Sequence, residues 1–139
     1  AADVGADAII VSNHGGRQLD HGRGTVDMLP EVVKEVAGRA EIVVDGGFCR
    51  GADIIKALAR GADAVAIGKI QGLGLGADGQ AGVRRVLELL EIEMNTVMGL
   101  LGLDSLDKLS EEYLEPAQPV VAPGVLSAFP FLNLPPQEY

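Results

Sequence analysis

His14 and Arg17 are the two side chains whose types and spacing most readily do chemistry in this sequence. They lie in the run Ser12-Asn13-His14-Gly15-Gly16-Arg17-Gln18-Leu19-Asp20, directly after the apolar Ala8-Ile9-Ile10-Val11. An imidazole takes or gives a proton near neutral pH. A guanidinium three residues on offers a planar fork that grips a carboxylate or phosphate bidentately. The two glycines between them let the backbone take positive φ and come close to a ligand. A base and an anion clamp on one loop at a strand end point to proton chemistry on an anionic substrate.

The elements that must position this loop follow from hydrophobic runs and punctuation. Ala8 to Ser12 reads as a buried strand, and Asn13 to Gly24 as a long loop in which His21 is a loop residue. Thr25 is expected to cap a helix over 26–37, with Met28, Leu29, Val32, Val33 and Val36 inward, Pro30 tolerated in its first turns and Gly38 ending it. Glu41 to Asp45 is a second apolar strand, running into Gly46-Gly47-Phe48-Cys49-Arg50-Gly51. A helix over 52–60 follows, with Ile54, Ile55 and Leu58 inward and Gly61 as its C-cap. Ala64 to Ile67 is a third strand, ending in Gly68-Lys69. The tetrapeptide Gly-Ala-Asp-Ala recurs at 5–8 and 61–64, each time where a helix exits into a strand, as in repeated βα units. Gly72 to Gly79 reads as a glycine-rich connection, 80–101 as a long packing helix, and 105–109 as one more short helix.

Composition agrees with an α/β domain. Of 139 residues 47% are hydrophobic, only 4% aromatic, and 19 are glycine. The net charge of −9 argues against nucleic acid and against an anionic membrane surface, so an anionic substrate must be held by local Arg or Lys. The single cysteine excludes an internal disulfide and gives no zinc cluster, so no metal is expected. No apolar run approaches about 18 residues. The first residues look like the last turn of a helix, so the expectation is a piece of something larger, begun in mid-element. Residues 1–115 form one expected unit. Residues 116–139, with five prolines from Pro119 to Pro136, form an irregular tail. The chain does not end in a Ser-Lys-Leu type signal, which leaves the cytoplasm as the expected compartment.

Three parallel strands, each followed by a helix and each ending in polar residues, fit part of a βα barrel or a doubly wound sheet. The first βα turn lacks G-x-G-x-x-G, which weakens the dinucleotide-fold alternative. Glycines and a basic residue after the last two strands suit a barrel's phosphate site.

Taken together, Ser12 to Asp20, Asp45-Gly46-Gly47 and Gly68 before a basic residue closely resemble the FMN-dependent 2-hydroxy acid oxidase and dehydrogenase family. Glycolate oxidase, lactate oxidase and mandelate dehydrogenase belong to that family. The similarity runs from about residue 2 to 114. It implies a (βα)8 TIM barrel of which this chain carries the last three βα units, followed by the C-terminal helix and tail. It implies FMN as cofactor and oxidation of a small (S)-2-hydroxy acid to the 2-oxo acid, two electrons passing to the flavin. By resemblance His14 is the catalytic base, and Arg17, with His14, binds the substrate. Ser12 touches the flavin. Asp45, Gly46, Gly47, Phe48 and Cys49, with Gly68 and Lys69, hold the ribityl phosphate. Two positions depart from the family, which has Arg where this chain has Cys49 and Lys69. Arg50 stands next in line to contact the phosphate, and a lysine keeps charge without the fork. The flavin-side Lys, the Asp that orients the histidine and the active-site tyrosines come from the first five units. Tyr113 and Tyr139 do not match those tyrosines.

The alternatives are a catalytically silent half-barrel that self-associates and a different phosphate-binding barrel enzyme. Three of eight strands leave edges and one apolar face open, which predicts a homo-oligomer.

Overall fold

The computed structural model describes residues 1–18 and 22–117. The expected irregular tail lies almost wholly outside them, as do His21 and Tyr139. Three parallel strands, β1 (Ala8–Ser12), β2 (Glu41–Asp45) and β3 (Ala64–Ala66), form one sheet in the order β1-β2-β3. Ser12 stands opposite Asp45, and Asp45 opposite Ala66, so the three C-terminal ends share one rim. Helices α1 (Thr25–Val36) and α2 (Gly51–Ala59) cross back between successive strands and cover the same face.

The core lies between that face and those helices. Leu29 of α1 and Val44 of β2 are fully buried, with Val36, Ile42, Phe48, Ala57 and Ala62 beside them. Fully burying a side chain of that size contributes about 1.5–3 kcal/mol. The other face is open. β1 is therefore not the buried strand its composition suggests: its residues alternate, with Ile9 and Val11 against the core and Ile10 68% exposed. An unbroken apolar run fits a strand covered on both faces, and here only one is covered.

Local chemistry moves several boundaries. Thr25 is the first residue of α1 rather than its cap; its side chain is buried and Oγ1 donates to the Gly46 carbonyl at 3.4 Å. Gly24 takes the N-cap position. At the far end Ala37 (φ 50°) is already left-handed, one residue before Gly38. Pro30, inside α1, cannot donate to the Val26 carbonyl four residues back. Arg60 Nη1 supplies that bond at 3.1 Å. The Gly-Ala-Asp-Ala echo is structural, since Gly5 and Gly61 both adopt left-handed backbone at φ 83° and 90°.

The largest departure is α3 (Lys69–Leu101), which begins at Lys69, where a glycine-rich connection is expected from Gly72. Helical geometry breaks at Asp78 and Gly79, dividing α3 into arms 69–77 and 80–101. The glycines serve packing: a Cβ on Gly82 would fall 1.9 Å from the Gly74 carbonyl oxygen. In the second arm, expected as a packing helix, Leu90 and Met98 are buried while Leu87 is 53% exposed. A single turn, Leu106–Lys108, matches the last expected helix. No helix among the described residues is long and apolar enough to cross a membrane.

Candidate active site

All candidate side chains come from three consecutive strand ends. After β1 the chain enters a tight turn, His14–Gly16, in which three successive residues have positive φ (52°, 65° and 74°). Only Gly adopts that backbone freely, which explains Gly15 and Gly16, and His14 is the non-glycine residue held there. Two side chains stabilise the turn: the Ser12 Oγ accepts the His14 N–H at 3.0 Å, and the Asn13 Oδ1 accepts the Gly15 N–H at 3.0 Å.

The same Ser12 hydroxyl donates to Asp45 Oδ2 at 2.5 Å, tying the end of β1 to the end of β2. Beyond Asp45, Gly46 and Gly47 have φ of 110° and 86°. A Cβ on Gly46 would lie 2.8 Å from Asn13 Oδ1, so this residue must be glycine for the two loops to approach. Phe48 turns inward and is buried. From the third strand end, Lys69 reaches across: a Cβ on Gly15 would sit 3.6 Å from its Nζ.

These loops enclose a cleft of about 150 Å³ lined by His14, Gly15, Ala66, Gly68, Lys69 and the stretch Asp45 to Cys49. A second cleft of about 410 Å³ shares Gly15, Gly46, Gly47, Phe48 and Lys69 with it and extends to Lys56. A larger apolar groove of about 570 Å³ runs along the arms of α3 and meets the cleft only at Cys49.

The structure thus gathers His14, Asp45, Gly46, Gly47, Phe48, Cys49, Gly68 and Lys69 around one space, with Ser12 joined to it through Asp45. Two expected residues stand apart. Arg17 follows the turn, exposed, and does not line the cleft. Arg50 points the other way: its Nε and Nη2 both donate to Glu93 Oε1 at 2.7 Å. Arg50, expected to contact the phosphate from its place beside Cys49, here has its guanidinium on the carboxylate of α3. At Cys49 itself, burial and the Asp53 carboxylate push the thiol pKa up, and Lys69 opposes them.

The backbone donors around the cleft divide into two sets. The N–H groups of Cys49 and Arg50 donate to Asp53 Oδ2 at 3.2 and 3.0 Å, and that of Gly51 to Glu93 Oε2 at 2.7 Å. The N–H groups of Gly46, Gly47 and Phe48 donate to no group among the described residues. Three unpartnered donors, the first turn of α3 and one ammonium make an anion cradle beside an imidazole.

The family model for FMN-dependent dehydrogenases matches residues 1–116. The chain belongs to that family. It is 52% identical over 114 residues to an L-lactate oxidase of Nostoc sp., covering 82% of this chain and 31% of that protein. It is 47% identical over 115 residues to glycolate oxidase 3 of Arabidopsis thaliana, covering 83% and 31%. A solved structure of mandelate oxidase with (S)-2-phenylpropionate superimposes with a TM-score of 0.74 at 50% identity, covering 77% of this chain and 32% of that one. The three βα units are accordingly part of a TIM barrel, and the chain spans about 31% of the length of the relatives it matches.

Four residues at the site carry no chemistry legible from sequence: Asn13, Thr25, Asp53 and Glu93. Asp53 had a signal, an acid at the third position of a helix. Glu93, 42 residues from its partner Gly51, had none.

Proposed function

We propose that this chain carries the catalytic histidine and the flavin-phosphate loops of an FMN-dependent oxidase that converts small (S)-2-hydroxy acids to 2-oxo acids. The observation that carries this is the single cleft in which His14 meets the unpartnered N–H groups of Gly46, Gly47 and Phe48 and the Lys69 side chain. The names of the relatives, lactate oxidase and glycolate oxidase, support the substrate class.

The residues present suit FMN. Nothing lies within 4 Å of where a Cβ would stand on Gly47 or Gly68, leaving room for a phosphate against the backbone. Lys69 supplies the cation, with Cys49 and Arg50 supplying none. When bound, the flavin would provide the two-electron acceptor. Oxidation to the 2-oxo acid removes two hydrogens and two electrons; the His14 imidazole would take one hydrogen as a proton, and the flavin would accept the electron pair with the other. Arg17, three residues after His14 but outside the cleft as it stands, would supply the guanidinium for the substrate carboxylate. Ser12 holds the His14 backbone and Asp45 in register, and Phe48 closes the cleft on the core side against water.

The test is a chimera in which residues 1–116 replace the matching segment of the Nostoc L-lactate oxidase. A yellow protein whose flavin bleaches on anaerobic addition of (S)-lactate, glycolate or (S)-mandelate is the expected result. A yellow protein that none of the three bleaches refutes the proposal.

The open sheet face favours a second, narrower proposal for the 139-residue chain by itself: it pairs with a second copy and does not turn over. Ile10, 68% exposed in the middle of β1, marks the face that would be covered. Sedimentation at micromolar concentration should show a dimer that Ile10→Lys dissociates. A well-folded wild-type monomer contradicts it.

A further inference from the structure

We infer that Glu93, far from the cleft in sequence, is a positioning residue that sets the distance between the two walls of the phosphate cradle. The inference rests on the flavin-phosphate proposal above.

The first wall is the loop from Gly46 to Arg50, which is anchored at both ends. At its start the Thr25 hydroxyl holds the Gly46 carbonyl. At its end Glu93 takes three donors at 2.7 Å: the Gly51 N–H on Oε2, and Arg50 Nε and Nη2 on Oε1. The contact is possible because residue 51 is glycine. A Cβ there would lie 2.6 Å from both the Leu90 carbonyl oxygen and the Met94 nitrogen. Helix α2 thus docks its first residue onto the backbone of the second arm of α3, and the Glu93 carboxylate closes the joint.

Two consequences follow for an anion. With Gly51, Arg50 and Cys49 donating to carboxylates, this end of α2 offers an external phosphate nothing. The phosphate must lie further back, at Gly46 to Phe48. The second wall is then the start of α3 at Lys69, and that arm is locked to the arm bearing Glu93 where Gly82 meets Gly74. The path from loop to lysine runs through Glu93, Gly82 and Gly74 with no flexible segment except the break at Asp78 and Gly79. Loss of Glu93 frees the loop from α3 and lets the two walls drift apart, so a phosphate loses its fit between them.

The test compares FMN with riboflavin, which lacks the phosphate, by titrating flavin fluorescence against the 139-residue chain and its variants. Amide hydrogen exchange is read on the same proteins without ligand. Glu93→Ala should weaken FMN by about tenfold, the size of one charge-assisted hydrogen bond, and leave riboflavin unchanged. Glu93→Gln, which keeps an acceptor for Gly51, should recover part of that loss. Exchange at Cys49, Arg50 and Gly51 should quicken in Glu93→Ala, with Ile42 and Val44 unaffected. Unchanged FMN affinity, or an equal loss for both flavins, overturns the inference. A wild-type chain that does not distinguish the two flavins refutes the phosphate site itself. Unchanged exchange at Cys49 to Gly51 refutes the positioning role in either case.

Discussion

The Ser12 hydroxyl is used twice: it donates to Asp45 Oδ2 at 2.5 Å and accepts the His14 N–H at 3.0 Å. One small side chain thereby ties two strand ends and holds the backbone of the candidate base. Ser12→Ala removes both bonds at an exposed site and should cost about 1 kcal/mol of stability. In the lactate oxidase chimera it should lower the rate of flavin reduction through a displaced His14. Unchanged reduction kinetics would show that the turn holds itself.

Glu93 makes stability depend on acid. The hydrogen bonds from Arg50 and then Gly51 hold its carboxyl below the ordinary glutamate value of 4.5. A depressed folded-state value means the contribution is complete above that ordinary value and is lost as pH falls through the folded-state one. The pair is partly solvated, with Glu93 33% and Arg50 63% exposed, so solvent screening keeps the effect small. Thermal unfolding from pH 7 downward should show a decline below about pH 4.5 that is shallower in Glu93→Gln. Parallel curves for the two proteins would contradict the assignment.

Gly82→Ala should be among the most damaging single changes. Its Cβ would overlap the Gly74 carbonyl oxygen at 1.9 Å, and that oxygen belongs to helix backbone. The arms of α3 must separate, at a cost of about 1–3 kcal/mol or more. Gly76→Ala, with nothing within 4 Å, is the control and should be neutral or stabilising, since alanine favours helix by about 1 kcal/mol. Equal effects in denaturant melts would contradict the packing role of Gly82.

His14→Gln in the chimera should still bind FMN yet leave the flavin oxidised when substrate is added. Bleaching of the variant at the wild-type rate would remove His14 from the chemistry.

Much of this site was legible because it is local. The strand ends, the positive-φ glycines and the polar residues after each strand follow from runs and punctuation, and β2 has the expected limits, Glu41–Asp45. The illegible parts depend on partners far along the chain. Gly74 looks like part of a glycine-rich connection until it is seen against Gly82 of the second arm. The ion pair of Arg50 with Glu93, 43 residues on, has no signal in the sequence. The Ala8 to Val11 run says nothing about which face is covered, and only one face of the three-stranded sheet is, leaving Ile10 exposed.

The central claim is that Lys69 and the Gly46–Phe48 backbone hold the phosphate of a flavin, and the selectivity for FMN over riboflavin tests it most directly. The wild-type chain should bind FMN at least about tenfold more tightly, and Lys69→Met should narrow that gap while leaving the riboflavin affinity unchanged. Equal affinities in the wild type, or an FMN preference that Lys69→Met does not diminish, would contradict the account.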